Sequence, residues 1–155
     1  MIQALIDWQI LQQIALWREQ LHAQHKSSRP LSEGYEYIGL AGEAAFAELF
    51  GLPVDLTARP SGDNGVDFST SAGTVDVKTY RKPYNLLLEV GKRHADILVL
   101  AGYDGEKARL IGWEYSRVLL ACPVRDFGYG IRNHYKAAHS LRKLAELREI
   151  IHDRG

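Results

Sequence analysis

Apolar residues near the start of the chain fall at Ile2, Leu5, Ile6, Ile10, Leu11, Ile14, Trp17 and Leu21, close to a helical period and uninterrupted by Pro or Gly. The spacing predicts an amphipathic helix of about 20 residues within 1–26, with an apolar stripe too wide to be left in water. It either packs back on the rest of the chain or forms a dimer contact. Residues 27–37, which include Ser27, Ser28 and Pro30, read as a linker. A second helix is expected from Ile38 to Phe50, stopped by Gly51 and Pro53. Within it Leu40, Glu43, Ala47 and Phe50 recur at steps of three and four, which places Glu43 in the apolar stripe.

The pattern then changes to alternation. Val66 to Phe68 and Thr74 to Tyr80 flank a Ser-Thr-Ser-Ala-Gly connection and predict a β-hairpin with an irregular loop. Strand geometry puts Val66 and Phe68 on one face and Asp67 on the other. It likewise separates Val75, Val77 and Thr79 from Asp76, Lys78 and Tyr80. If the apolar faces meet one core, Asp67, Asp76 and Lys78 converge on the opposite side.

Further along, Leu86 to Val90 is a short apolar segment, and Asp96 to Ala101 holds a continuous run that predicts a central strand buried on both faces. Tyr103 to Glu106 reads as a turn, Lys107 to Trp113 as the returning strand, and Glu114 to Leu120 as a short helix. Phe127-Gly128-Tyr129-Gly130 reads as a flexible loop. Leu141, Leu144, Leu147 and Ile150 mark a final helix with Ser140 as its N-cap.

With 155 residues and 46% hydrophobic content, the chain is expected to be one α/β domain, with a core over 38–120 and a loop and helix over 121–155. Nineteen basic and nineteen acidic residues cancel, which excludes a polycation and confines any nucleic-acid footprint to local clusters. One such cluster runs from Lys78 to His94: Lys78, Arg81, Lys82, Lys92 and Arg93 face a single acid, Glu89. The lone Cys122 excludes an intrachain disulfide or a zinc ribbon and suits a reducing, cytoplasmic setting. No run approaches the ~18 apolar residues of a membrane span, and acidic Asp7 argues against a secretory leader. The six histidines lack metal spacing, there is no Walker loop or dinucleotide fingerprint, and Asp63, Gly65 and Asp67 fail the calcium-loop pattern because Phe68 and Thr74 hold its glycine and glutamate positions.

Two carboxylates beside one amine admit two readings. Asp76 and Lys78 form either an ordinary surface ion pair, worth under about 1 kcal/mol, or part of a cluster that a cation completes. Glu43 is either a helix-start acid favoured by the macrodipole or a group wanting a cationic partner. The basic window is either a solvated face or a set of phosphate contacts. Trp113 and Tyr115 either fill the core or stack on bases.

Asp67, a spacer, and then Asp76-Val77-Lys78 resemble the signature of the PD-(D/E)XK nuclease superfamily, with Val66 in place of the proline. The Gly-Asp-x-Gly-x-Asp approach of Gly62 to Asp67 and the upstream helix GLAGEAAFAELFG with Glu43 extend the resemblance over roughly residues 39–120. It implies a restriction-endonuclease-like αβββαβ core with a mixed sheet flanked by helices, similar to small phage-type or Holliday-junction-resolvase-like members. It also implies a Mg2+- or Mn2+-dependent endonuclease acting on DNA, with a junction resolvase or a non-catalytic nucleic-acid-binding module as the alternatives. By the same resemblance Asp67, Asp76, Glu43 and the carbonyl of Val77 hold the metal, and Lys78 completes the catalytic set. Tyr80, Arg81, Lys82, Lys92, Arg93 and His94 then contact nucleic acid, and a homodimer would supply paired cuts.

Overall fold

The computed structural model describes residues 35–52 and 66–154. The expected N-terminal helix, most of the linker and the approach from Gly62 to Gly65 lie outside the described residues. Helix α1 spans Tyr35–Phe50 and so takes in the last residues of the expected linker. Its end is set by Gly51, whose φ of 66° only glycine adopts cheaply. Beyond it the Leu52 N–H donates to the Ala47 carbonyl at 2.9 Å, closing the turn as a Schellman cap.

Strands β1 (Phe68–Thr70) and β2 (Gly73–Tyr80) form the expected antiparallel hairpin, with Phe68 opposite Val75 and Thr70 opposite Gly73. The turn is therefore Ser71-Ala72 alone, tighter than the expected loop. Thr70 Oγ1 donates to the Gly73 carbonyl at 2.7 Å and accepts the Ala72 N–H, which lets Ser69 and Thr70 join the ladder.

Strand β4 (Ile97–Tyr103) runs parallel to β2 and antiparallel to β5 (Ala108–Tyr115), giving a mixed sheet in the order β1-β2-β4-β5. Parallel neighbours require a long crossover, and residues 81–96 supply it. That crossover contains β3 (Asn85–Glu89), which pairs with β7 (Arg132–Ala137); β7 in turn pairs with β6 (Val124–Asp126). This three-stranded sheet was not expected. Helix α2 (Ser116–Leu119) follows β5, and α3 (Leu144–Arg154) closes the described chain. The protein is thus an α/β fold built on a mixed sheet. No helix among the described residues is long and apolar enough to cross a membrane.

Alternation along β4 shows how the layers stack. Ile97, Val99 and Ala101 join Phe46, Ala47, Phe50, Phe68, Val75, Val77, Trp113 and Leu147 in one core, against α1 and α3. Leu98 and Leu100 join Leu86, Leu88, Ala95 and Leu119 in a second core beneath the smaller sheet. Burial on both faces makes β4 the central strand that its continuous apolar run implies. In the first core the Phe46 ring lies 4.3 Å from Phe50 and 4.8 Å from Phe68, and burying each such ring contributes roughly 2–3 kcal/mol.

Three local expectations are corrected. Val66 and Phe68 do not share a face: Phe68 enters the α1 core and Val66 packs against the Leu98 cluster, because residue 67 is a bend and the alternation starts only at Phe68. Glu114 belongs to β5, opposite Leu98, and not to the following helix. The last helix begins at Leu144, and Ser140 closes a 3-10 turn (Ala138–Ser140) without capping it. Arg142 is held extended by paired backbone bonds with Trp113, at 2.9 and 3.1 Å, which delays the helix.

Candidate active site

The pleat of β2 divides its residues. Val75 and Val77 point into the α1 core, and Asp76 and Lys78 point the other way, with Lys78 Nζ 2.7 Å from Asp76 Oδ2. Asp76 is buried, whereas the Lys78 side chain retains 37% of its exposure. The pair is thus anchored at its acidic end and open at its basic end.

Asp67 reaches the same place by a different route. Its N–H donates to the Val75 carbonyl at 2.8 Å, and its Oδ2 accepts the Val77 N–H at 2.7 Å. A longer β1 would have met that N–H with a backbone carbonyl. Because the chain bends at 67, the carboxylate takes over the role and lies at the sheet edge, where simple alternation had put it on a face. Asp67 is thus bonded to Val77, the residue between Asp76 and Lys78, which brings the three to one three-residue stretch of β2.

The electrostatics bind the three together. Burial alone would lower the ammonium's pKa, but the Asp76 carboxylate, by charge and by hydrogen bond, together with Tyr80 and Asp67, raises it above the usual lysine range. The Lys78 ammonium is thus stabilised in its charged form by the acids beside it.

Helix α1 is pressed against this strand. A Cβ placed on Gly42 would fall 1.8 Å from Thr79 Oγ1 and 3.3 Å from Val77 Cγ1, so only a glycine lets the helix backbone approach β2 so closely. Glu43, the next residue, is 9% exposed; its helix packs on the Val75 and Val77 face of β2, the face opposite the one to which Asp76 and Lys78 point.

The donor chemistry suits a hard dication. Among the described residues no cluster of three or more His, Cys, Asp or Glu side chains has metal-binding spacing. Magnesium, however, is commonly held by one or two carboxylates with several waters and substrate phosphates. A carboxylate offers about four lone-pair directions; Val77 N–H takes one on Asp67, and the Lys78 ammonium takes one on Asp76.

The basic window does not form one patch. Tyr80, Arg81 and Lys82 follow the end of β2, with the Arg81 guanidinium 5.5 Å from the Tyr103 ring centre. Lys92, Arg93 and His94 are exposed in the loop before β4, whose Ile97 pairs with Val75 at the opposite end of β2. Of the two aromatics, Trp113 is fully buried and donates its indole N–H to the Lys143 carbonyl at 2.8 Å. Tyr115 lies between Arg117 and Arg142, at 4.4 and 5.3 Å.

The sequence pattern missed the most deeply buried acid among the described residues. Glu114 is 1% exposed, ion-paired with Lys136 and, at 2.7 Å, with Arg142, and it accepts the Tyr115 N–H at 2.9 Å. Burial pushes its pKa up, but Lys136, Arg142 and that N–H outweigh it and hold the carboxyl below its ordinary value. Only its in-register position opposite the buried Leu98 marks it as internal, and that depends on pairing the strands first. It ties β5 to β7 and to the segment before α3.

Comparison with protein-family models, with curated proteins and with solved structures finds no significant match.

Proposed function

We propose that the chain is a divalent-metal-dependent endonuclease acting on DNA, of the PD-(D/E)XK kind. The observation that carries the reading is the meeting of Asp67, Asp76 and Lys78: one ammonium 2.7 Å from a buried carboxylate, with a second carboxylate bonded to the intervening residue's N–H. The helix bearing Glu43 against β2 and the mixed sheet support it in outline, although the crossover from β2 to β4 is made here by a strand.

Asp67, Asp76 and the Val77 carbonyl would hold Mg2+ or Mn2+, with Glu43 contributing from α1. Once bound, such an ion supplies Lewis acidity at a phosphoryl oxygen and acidifies water. The protein's own part is positional. The Val77 N–H fixes one Asp67 oxygen, Asp76 orients the Lys78 ammonium, and that ammonium offers a permanent positive charge to a phosphate as negative charge builds on it. Being protonated, Lys78 stabilises charge and does not collect the proton. A cytoplasmic setting and a homodimer for paired cuts belong to the same proposal.

The test is incubation of the purified protein with duplex, single-stranded and four-way-junction DNA in Mg2+ or Mn2+. Metal-dependent cleavage supports the reading, and selective cleavage of junctions favours a resolvase. Binding without turnover in either metal supports a non-catalytic module instead.

A further inference from the structure

The hairpin joining β6 to β7 carries an aromatic residue where neither burial nor backbone preference accounts for it. Asp126 pairs with Arg132, leaving Phe127 to Ile131 as the connection. The Ile131 N–H donates to the Gly128 carbonyl at 3.2 Å, and the two residues between have φ of 60° at Tyr129 and 72° at Gly130. Two positive φ values in succession are those of a type I′ turn, whose first central position favours Asn, Asp or Gly. A tyrosine stands there, 74% exposed, and it is the one non-glycine residue with positive φ among the described residues. Outliers of this kind collect at functional sites.

Its surroundings say what the ring meets. Phe127, 41% exposed, is braced from below by Tyr135 at 5.6 Å, edge to face, and by the Arg125 guanidinium at 5.3 Å. Arg125 and Arg132 are exposed on the stem. The Val90 N–H donates to the Arg132 carbonyl at 3.0 Å, so the stem adjoins the loop that carries Lys92, Arg93 and His94 and leads to the end of β4 beside Val75 and Asp76. The acids nearby are already engaged: Asp126 accepts the Gly128 N–H at 2.7 Å and Glu89 lies 3.9 Å from Lys92. An exposed ring on a hairpin whose stem carries exposed arginines supplies the two components of an unpaired-strand binding surface, a face for a base and cations for phosphates.

We infer that the β6–β7 hairpin is a stacking platform for unpaired nucleotides, with Tyr129 as the ring that a flipped or single-stranded base covers. The inference rests on the nuclease reading for its ligand and deepens it: the substrate class is DNA with unpaired bases beside a duplex.

The decisive variant is Tyr129→Asn, which removes the ring and installs the Asn-Gly pair the turn prefers, so the fold gains and does not lose. Fluorescence anisotropy in EDTA compares a plain duplex with the same duplex bearing a three-nucleotide flap. A 2-aminopurine in the flap reports stacking directly. Wild type should bind the flap more tightly and quench the 2-aminopurine. Tyr129→Asn should lose about 10-fold in flap affinity and the quenching with it, leave duplex affinity unchanged, and Tyr129→Phe should restore both. Equal flap binding and equal quenching by wild type and Tyr129→Asn would overturn the assignment of the hairpin while leaving the nuclease reading intact. A wild type that binds no DNA would overturn the platform, and the nuclease reading falls with it only if cleavage in Mg2+ and Mn2+ is absent as well. A dimer that dissociates on Tyr129→Asn with DNA binding unaltered would give the ring to a second copy of the chain, and also overturns it.

Discussion

Gly42 of α1 and Thr79 of β2 touch with no room for a methyl group between them: a Cβ on Gly42 would sit 1.8 Å from Thr79 Oγ1. That hydroxyl is also the one buried side-chain polar atom without a hydrogen-bond partner among the described residues. The strand is thus held close to the helix at the cost of a polar group left unsatisfied. Gly42→Ala is expected to destabilise the protein by about 2 kcal/mol through overpacking, despite alanine's better helix propensity. Adding Thr79→Ala should recover part of that loss. Urea denaturation of the two single variants and the double variant checks this, since independent, additive effects would mean the contact is not shared.

Glu114 should make the fold acid-sensitive. A carboxyl with a folded pKa below its unfolded value contributes stability that is complete above the unfolded value, near 4.5, and is lost as pH falls through the folded one. Stability measured from pH 7 down to pH 3 should therefore fall at the acid end, and Glu114→Gln should flatten that fall. At neutral pH the same change should cost about 2 kcal/mol, the scale of a lost charge-assisted hydrogen bond.

Lys78 titrates in the opposite sense. Its folded pKa lies above the unfolded value near 10.4, so the stabilisation it shares with Asp76 is present in full below that pH and is lost only as pH rises through the folded value. A pH–rate profile of cleavage should accordingly carry no limb assignable to Lys78 between pH 6 and pH 10. Lys78→Met should reduce the rate by about 100-fold or more at every pH in that range while leaving the apparent pKa values in place. A profile whose basic limb vanishes in Lys78→Met would show instead that the amine moves a proton.

Metal binding has a readout that does not depend on turnover. Mn2+ that binds the folded chain raises its melting temperature by mass action, by about 2.7 kcal/mol of stability at a hundredfold excess over the dissociation constant. Asp76→Asn should abolish the shift. Asp67→Ala should weaken it and also lower the metal-free melting temperature, because the Asp67 carboxylate accepts the Val77 N–H of β2 and alanine offers no acceptor.

How much of this was legible in the sequence follows from which contacts are local. The β1–β2 hairpin, the central place of β4, the glycine stop of α1 and the shared side of Asp76 and Lys78 all follow from alternation and turn chemistry within a few residues. The Asp104 turn does too, its carboxylate taking the N–H groups of Glu106 and Lys107 at 2.9 and 3.0 Å. The second sheet was hidden because β7, Arg-Asn-His-Tyr-Lys-Ala, buries only Asn133 and shows no apolar alternation. Its strand character comes from β3 and β6 on either side. Asp67's place at the sheet edge was hidden for a similar reason: the alternation rule presumes a strand, and the chain bends there. The start of α3 likewise depends on Arg142 pairing with Trp113, which is distant in sequence.

The central claim is that Asp76, ion-paired to Lys78 and backed by Asp67, is the core of a phosphodiester-cleaving site. Its most direct test is the single-turnover cleavage rate of Asp76→Asn against wild type on the same DNA in Mg2+ and in Mn2+, with both proteins shown to be folded by near-UV circular dichroism. The account predicts metal-dependent cleavage by wild type and a loss of about 100-fold or more in the variant. Equal rates for the two proteins would contradict it.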